Sequence, residues 1–235
     1  MQDLGCDLDH CFFCRHCMPE WKTVTAAHKK TLIFKRGKPL FTEGEPVTGI
    51  FFLYSGIVKI HAPWTDGREM IIRFVRAGEI AGLRGLGGQP AYPISATALE
   101  DTMACFVTNE FLELSLKANP SLTYTLMHFY AAELLKAEKR MRDVTHMDVK
   151  GRIAGALLDI LQSFGTLADG TLALKLTRQD IAAYAGTTYE TVFKFFTELT
   201  AAGIIATSGK DIQILSPERL EPLAAGKPPS VAASV

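Results

Sequence analysis

Four of the chain's five cysteines fall within the first seventeen residues, in GCDLDHCFFCRHC, as Cys6, Cys11, Cys14 and Cys17. Thiolates are soft ligands, and Cys11-x2-Cys14-x2-Cys17 gathers three of them on one short segment, expected to be an irregular loop, as a compact metal centre requires. Two centres suit the spacing. A tetrahedral zinc site could be closed locally by Cys6, His10 or His16, whereas a four-iron cluster needs four thiolates and can take the fourth from far along the chain. Met1 to Trp21 has no signal-peptide core, and no apolar run approaches a membrane span. The expected location is the cytoplasm, where clustered cysteines more often serve metal or redox chemistry than disulfides.

A second chemistry is offered by Leu176 to Ile214, LTRQDIAAYAGTTYETVFKFFTELTAAGIIATSGKDIQI. Thr177 is an N-cap, Ile181, Ala182 and Ala185 are a short apolar face, and Gly186 is a C-cap, which together predict one helix. Thr187 and Thr188 can then cap a second helix whose inward face is Thr191, Val192, Phe195, Phe196 and Leu199. Two short helices joined by a tight glycine turn make a helix-turn-helix, and the hairpin predicted from Ile204 to Leu215 reads as a wing. Thr188, Tyr189, Glu190, Phe193 and Lys194 are left on the outer side of the second helix. The carboxylate can accept from cytosine N4 and the ammonium suits guanine or phosphate. Two aromatic rings on a solvent face are costly unless something covers them.

Charge argues against strong non-specific binding. The 25 Lys and Arg are balanced by 25 Asp and Glu, and the segment from Thr145 to Ser216 holds six basic against seven acidic residues. A DNA-binding part that is not basic gains little from phosphates alone. Lys136, Lys139, Arg140 and Arg142, just upstream, are the candidate compensating cations.

The elements that must position these groups follow from hydrophobic patterning. A chain of 235 residues with 48% hydrophobic content suffices for two cores. From Thr31 to about Asn109, short apolar segments alternate with turns: Leu32 to Phe34, Leu40-Phe41, Ile50 to Leu53, Ile57 to Ile60, Met70 to Val75, Ile94 to Ala98 and Met103 to Val107. Such spacing predicts a sandwich or barrel. Asn119-Pro120 opens a long helix in which Met127, Tyr130, Leu134, Ala137, Met141 and Val144 recur at alternating threes and fours. That narrow seam predicts self-association, and a two-fold dimer would set two reading helices about one DNA turn apart.

On these residues the chain resembles the CRP/FNR superfamily of bacterial transcription regulators, from Leu32 to about Pro217. The most specific stretches are LFTEGEPVTGIFFLYSGIVKI (Leu40 to Ile60), RAGEIAGL (Arg76 to Leu83), and YETVFK with the GKDIQI wing. The resemblance implies an α+β protein with an N-terminal β-roll (a double-stranded β-helix, jelly-roll-like) sensor domain, a long dimerisation helix, and a C-terminal winged helix-turn-helix. It implies a homodimer on a palindromic promoter site in double-stranded DNA, with RNA polymerase as a further partner. The implied divisions are a cysteine-rich segment at 1–30, the β-roll at 31–118, the dimerisation helix at 119–145, the DNA-binding domain at 146–220 and a disordered tail at 221–235. Glu190 and Lys194 match the base-reading acid and base of that family's TxETVxR-type helices. Lys for Arg gives up the bidentate fork.

Within the superfamily the match is to the FNR-type iron–sulfur branch. Cyclic-nucleotide sensors carry a ribose-holding Glu and an Arg-Ser pair where this chain has Gly82-Leu83 and Tyr92-Pro93-Ile94. ALEDTMAC, Ala98 to Cys105, is similar to the segment bearing the distant fourth ligand in FNR, and HC-x2-C at His10 to Cys14 resembles the start of its N-terminal motif. The implied centre is a [4Fe-4S] cluster on Cys11, Cys14, Cys17 and Cys105, responding to oxygen, nitric oxide or redox state. Cys17 follows Cys14 after two residues where FNR has five, so Cys6 is the substitute third ligand.

Other candidates are weaker. His61, His128 and His146 are scattered, and keep open a haem-bound variant; structural zinc with a small-molecule effector in the β-roll is the other alternative. GLRGLGG, Gly82 to Gly88, lacks the strand-to-helix setting of a phosphate cradle and is expected to be a turn. No nucleophile and base stand in a credible order, so enzyme activity is not expected.

Overall fold

Side chains alternate faces along a strand, so an apolar run in a sheet covered on both sides serves two cores. In the computed structural model, which describes residues 11–64, 67–88 and 90–225, the run Gly49–Ser55 does this. Ile50 and Phe52 pack into one buried layer, Phe51 and Leu53 into another.

Eight strands build the first unit, which ends at Leu134: β1 (Lys30–Phe34), β2 (Pro39–Phe41), β3 (Gly49–Ser55), β4 (Ile57–Pro63), β5 (Glu69–Arg76), β6 (Ile80–Ala81), β7 (Ser95–Ala98) and β8 (Thr102–Thr108). They form two antiparallel sheets ordered β1-β8-β3-β6 and β2-β7-β4-β5, a jelly-roll-like β-roll. The roll's interior is filled by Leu40, Phe41, Leu53, Val58, Ile60, Val75 and their neighbours. Seven strands match the segments named above; β6 has two residues, too few to show alternation. At the β3–β4 turn Gly56 has φ +86°, and a Cβ there would collide with Thr102. The glycine-rich Gly82 to Gly88 is a short 3-10 turn, Leu83–Gly87, bounded by two left-handed glycines.

Helices cover the outer face of the first sheet. The cysteine segment is not the expected irregular loop: α1 (Phe12–His16) is a short helix with Cys11 at its N-cap and Cys17 at its C-cap. The reason is burial: Phe12 and Phe13 both enter the core, and a helix sets neighbouring side chains about 100° apart where a strand would send them to opposite faces. α2 (Pro19–His28) starts with proline at its first position and leads into β1. After β8 come α3 (Asn109–Ala118), capped by the Thr108 hydroxyl, and the long α4 (Pro120–His146). The unit division falls within α4, between Leu134 and Leu135.

The second unit holds α5 (Val149–Phe164), α6 (Arg178–Ala185), α7 (Tyr189–Ala201), the hairpin β9 (Ile205–Ser208) and β10 (Asp211–Ile214), and α8 (Pro217–Ala224). α8 corrects the expectation of disorder from residue 221. Leu220 is fully buried, and a Cβ at Gly151 on α5 would stand 2.8 Å from the Leu223 carbonyl, so the missing side chain lets α8 dock closely. The tail beyond residue 225 lies outside the described residues.

Candidate metal centre and nucleic-acid interface

Period-two alternation decides where Cys105 points. In β8, Ala104 belongs to the roll's interior, while Cys105 and Val107 face the outer layer beneath α1. Cys11, Cys14, Cys17 and Cys105 are all buried thiols of that one layer, together with Phe12, Phe13, Ile50, Phe52 and Leu83. Phe13 packs against Phe52 at 5.1 Å, and Phe52 is the cross-strand partner of Cys105. A lone cysteine on a strand thus ends up in the same core as three that lie about ninety positions earlier.

The Cys17 thiol is neutral at neutral pH. Burial pushes Cys17 up to about 11, helped by its neighbour Cys11 and opposed by a hydrogen bond from Thr25. Binding a metal there would have to take protons off. One cation is near: Lys29 Nζ lies 3.9 Å from Cys14 Sγ. Among the described residues no three His, Cys, Asp or Glu side chains converge tightly enough to hold a single ion. Four buried cysteine thiols are the donor set that an iron–sulfur cluster takes. Cys6 and His10 lie outside the described residues. His16, the other local candidate, is on α1 and packs against Phe12 at 4.8 Å, and of the three scattered histidines His61 on β4 bonds Thr97 and Glu69, His128 packs edge-on against Tyr124, and His146 ends α4.

The cysteine segment is tied to the helices that follow the roll. Phe12 meets Phe129 of α4 edge-on at 5.5 Å, Met18 N donates to Asn119 Oδ1 at 3.0 Å, and Trp21 Nε1 donates to Ser115 Oγ at 3.0 Å. Asn119 and Ser115 are fully buried. None of these bonds was legible in the sequence.

Along α4, Met127, Leu134, Ala137, Met141 and Val144 are exposed, and so is Leu135, which the seam did not include. Tyr130 departs from the seam. It is half-buried and its hydroxyl donates to the Leu83 carbonyl, while burial pushes its pKa up to about 12. The amphipathic ring is used within the first unit and is not open to a partner.

The helix-turn-helix forms where expected. α6 opens with a capping box in which Thr177 and Asp180 satisfy each other's backbone N–H, and it closes at Gly186 with φ +65°. The Thr188 hydroxyl caps α7 by accepting from Thr191 N. Val192, Phe195, Phe196 and Leu199 are buried, while Thr188, Tyr189, Glu190, Phe193 and Lys194 are exposed together on the opposite side. Glu190 is held ionised by backbone and Thr188 hydrogen bonds and by the Lys194 charge, so it can only accept. β9 and β10 pair with Ser208 opposite Asp211, leaving a two-residue Gly209-Lys210 turn at the wing's tip.

Two arginines hold this frame, one absent from the sequence reading and one given another role there. Arg152 donates to the carbonyls of Met147, Ala185 and Gly186 at 3.0, 3.1 and 3.2 Å, which fixes the turn between α6 and α7. Arg140, named as a phosphate cation, instead bonds the Tyr184 carbonyl and lies 4.2 Å over the Tyr184 ring. Lys139 is engaged too, pairing with Asp143 at 2.9 Å. Planar guanidinium makes several carbonyl bonds at once, a geometric property with no sequence spacing to announce it.

Comparison with known proteins fits this architecture. Residues 31–119 match the cyclic nucleotide-binding domain model and residues 151–223 the Crp-like helix-turn-helix domain model. The chain is 31% identical to the transcriptional activator protein Anr of Pseudomonas aeruginosa, over 90% of this chain and 89% of that protein. It is 31% identical to the CRP-like cAMP-activated global transcriptional regulator of Mycobacterium tuberculosis, over 80% and 84%. Among solved structures, FixK2 from Bradyrhizobium japonicum aligns with TM-score 0.73 and 27% identity, covering 83% of this chain and 96% of that one. No helix among the described residues is long and apolar enough to cross a membrane. With a jelly-roll-like first unit, a long helix and a winged helix-turn-helix following one another in the chain, the protein belongs to the CRP/FNR family of DNA-binding transcription regulators.

Proposed function

We propose that this regulator senses oxygen, nitric oxide or redox state through a [4Fe-4S] cluster held by Cys11, Cys14, Cys17 and Cys105. The observation that carries the reading is the shared buried layer: strand alternation turns Cys105 outward from the roll, into the core that contains the other three thiols. When bound, such a cluster supplies an oxidant-sensitive centre whose loss is the signal. The chain's own residues do the rest. The Lys29 ammonium beside Cys14 favours the charged thiolate form. Phe12, adjacent to ligand Cys11, transmits any change in the α1 turn to Phe129 on α4.

α4 is the dimerisation helix in this reading, with Met127, Leu134, Ala137, Met141 and Val144 as the apolar stripe facing a second copy. The dimer would present two α7 helices to a palindromic promoter site, with Glu190 and Lys194 on base edges and RNA polymerase as the protein partner. Protein purified without oxygen tests the sensing step. Expected are a brown colour, absorbance near about 400 nm that bleaches in air, and iron and sulfide in equal amounts. Colourless protein with stoichiometric zinc would refute it.

A second reading, a small-molecule effector inside the roll, is favoured by the match of residues 31–119 to the cyclic nucleotide-binding domain model. Against it, Tyr92 stacks on Phe41 at 4.1 Å and its hydroxyl donates to the Gly49 carbonyl at 2.7 Å, filling the region where a nucleotide sensor needs its phosphate-binding pair. Calorimetric titration with cyclic AMP separates the two, and the first reading expects no heat of binding.

A further inference from the structure

The outer side of α7 carries two parallel rows, each one helical turn long. One is charged, Glu190 and Lys194. The other is aromatic, Tyr189 and Phe193, whose ring centroids lie 6.3 Å apart with planes 23° from parallel. Phe193 is 50% exposed, although the opposite helix face buries Val192, Phe195, Phe196 and Leu199. Its ring is nonetheless held. The Arg178 guanidinium lies 5.9 Å from its centroid and 5.8 Å from that of Phe196. On its inner side the ring helps line a cavity of about 380 Å³ with Arg178, Phe196, Thr200 and Thr207. A ring flanked by a guanidinium and a second ring has less rotamer freedom to lose when a partner arrives, which lowers the cost of binding.

We propose that Phe193, supported by Tyr189, reads the C5-methyl group of thymine in the major groove. This rests on the reading that α7 enters that groove. On the major-groove edges of the bases the one apolar group larger than a hydrogen is the thymine methyl. A ring with no polar atom gains by covering that methyl, and it strips water from a cytosine N4 or guanine O6 without returning a hydrogen bond. The aromatic row therefore selects thymine and rejects cytosine at the same place, beside the pairs addressed by Glu190 and Lys194. Its apolar area is continuous with the charged row, so the duplex that engages one must cover the other.

The test uses the full-length protein. Half-sites are recovered by selection from a random duplex library, and each thymine in them is then replaced by deoxyuridine, which removes only the methyl. At one or two positions the wild type should bind about fourfold more weakly, the worth of one buried methyl group. Phe193→Ala should bind thymine and uracil duplexes equally, while Phe193→Leu keeps the discrimination. If uracil changes nothing at any thymine, or if Phe193→Ala discriminates as the wild type does, the proposal fails although DNA reading stands. If the wild type enriches no sequence at all, the placement of α7 in the groove is what fails, and this inference falls with it.

Discussion

Phe52 on β3 sits directly across the ladder from Cys105 on β8, and both side chains enter the buried layer beneath α1. This pairing places the 105 sulfur against the same aromatic surface that Phe12 and Phe13 cover, since Phe12 lies 6.2 Å and Phe13 5.1 Å from the Phe52 ring. Cys105→Ser is nearly isosteric, so the β-roll should keep its circular dichroism and melt within about 2 kcal/mol of the wild type. Iron and sulfide in anaerobically prepared protein should nevertheless fall to a small fraction. Retention of a full cluster in that variant would exclude Cys105 as a ligand.

Acid stability should report Glu69. On β5 its carboxylate is bonded by His61 and Lys59, which hold its pKa down to about 2 despite partial burial. The unfolded-chain value is about 4.3. Because the folded value is the lower one, the contribution is complete above about pH 4.3 and is lost as pH falls towards about 2. Allowing for solvent screening, Glu69→Gln should cost on the order of 2 kcal/mol at neutral pH, little near pH 2 and nothing below it. Chemical denaturation of both proteins across that range checks the convergence.

Arg152 should matter more than its position on α5 suggests. Removing its guanidinium strands the carbonyls of Ala185 and Gly186 at the turn between α6 and α7. Arg152→Met keeps much of the aliphatic stem, so the loss should be that of the hydrogen bonds, about 2 kcal/mol in the stability of the second unit. Operator affinity should fall alongside, because the turn sets the angle at which α7 is presented. An unchanged melting transition would show that the three bonds are replaced by water at no cost.

Legibility followed periodicity and local chemistry. The seven longer strands of the roll, the capping residues Thr177 and Gly186, and the two sides of α7 follow from patterns a few residues long; Thr188 rather than Thr187 makes the cap of α7, and Thr191 is half-buried where the inward face was expected. The helical turn at Phe12–His16 was not legible, because five residues are too few to show a period and their burial depends on β3 and β8, which are distant in sequence. Nor could the spacing along α4 tell that Tyr130 turns back to Leu83 while Leu135 faces out. The roles of Arg140 and Arg152 are set by carbonyls thirty to forty-five residues away, and a basic residue reads from sequence as a surface charge.

The exposed stripe on α4 gives the sharpest test of assembly. Leu134 and Met141 are 61% and 67% exposed on a helix whose only fully buried side chains are Leu122 and Leu126, near its start. Apolar residues two turns apart on an uncovered helix are stable in water when a second copy covers them, each contributing about 1.5 to 3 kcal/mol on burial. Glutamate at such a position would meet its own symmetry mate and place two like charges at an apolar seam. Leu134→Glu with Met141→Glu should therefore sediment as a monomer at concentrations where the wild type is dimeric, with the helix content of each chain retained. The monomer should also lose most of its preference for a palindrome over a single half-site, because that preference comes from two α7 helices held at fixed spacing. If the double variant sediments as the wild type does, α4 does not use this stripe to assemble, and the palindrome must be read by another arrangement.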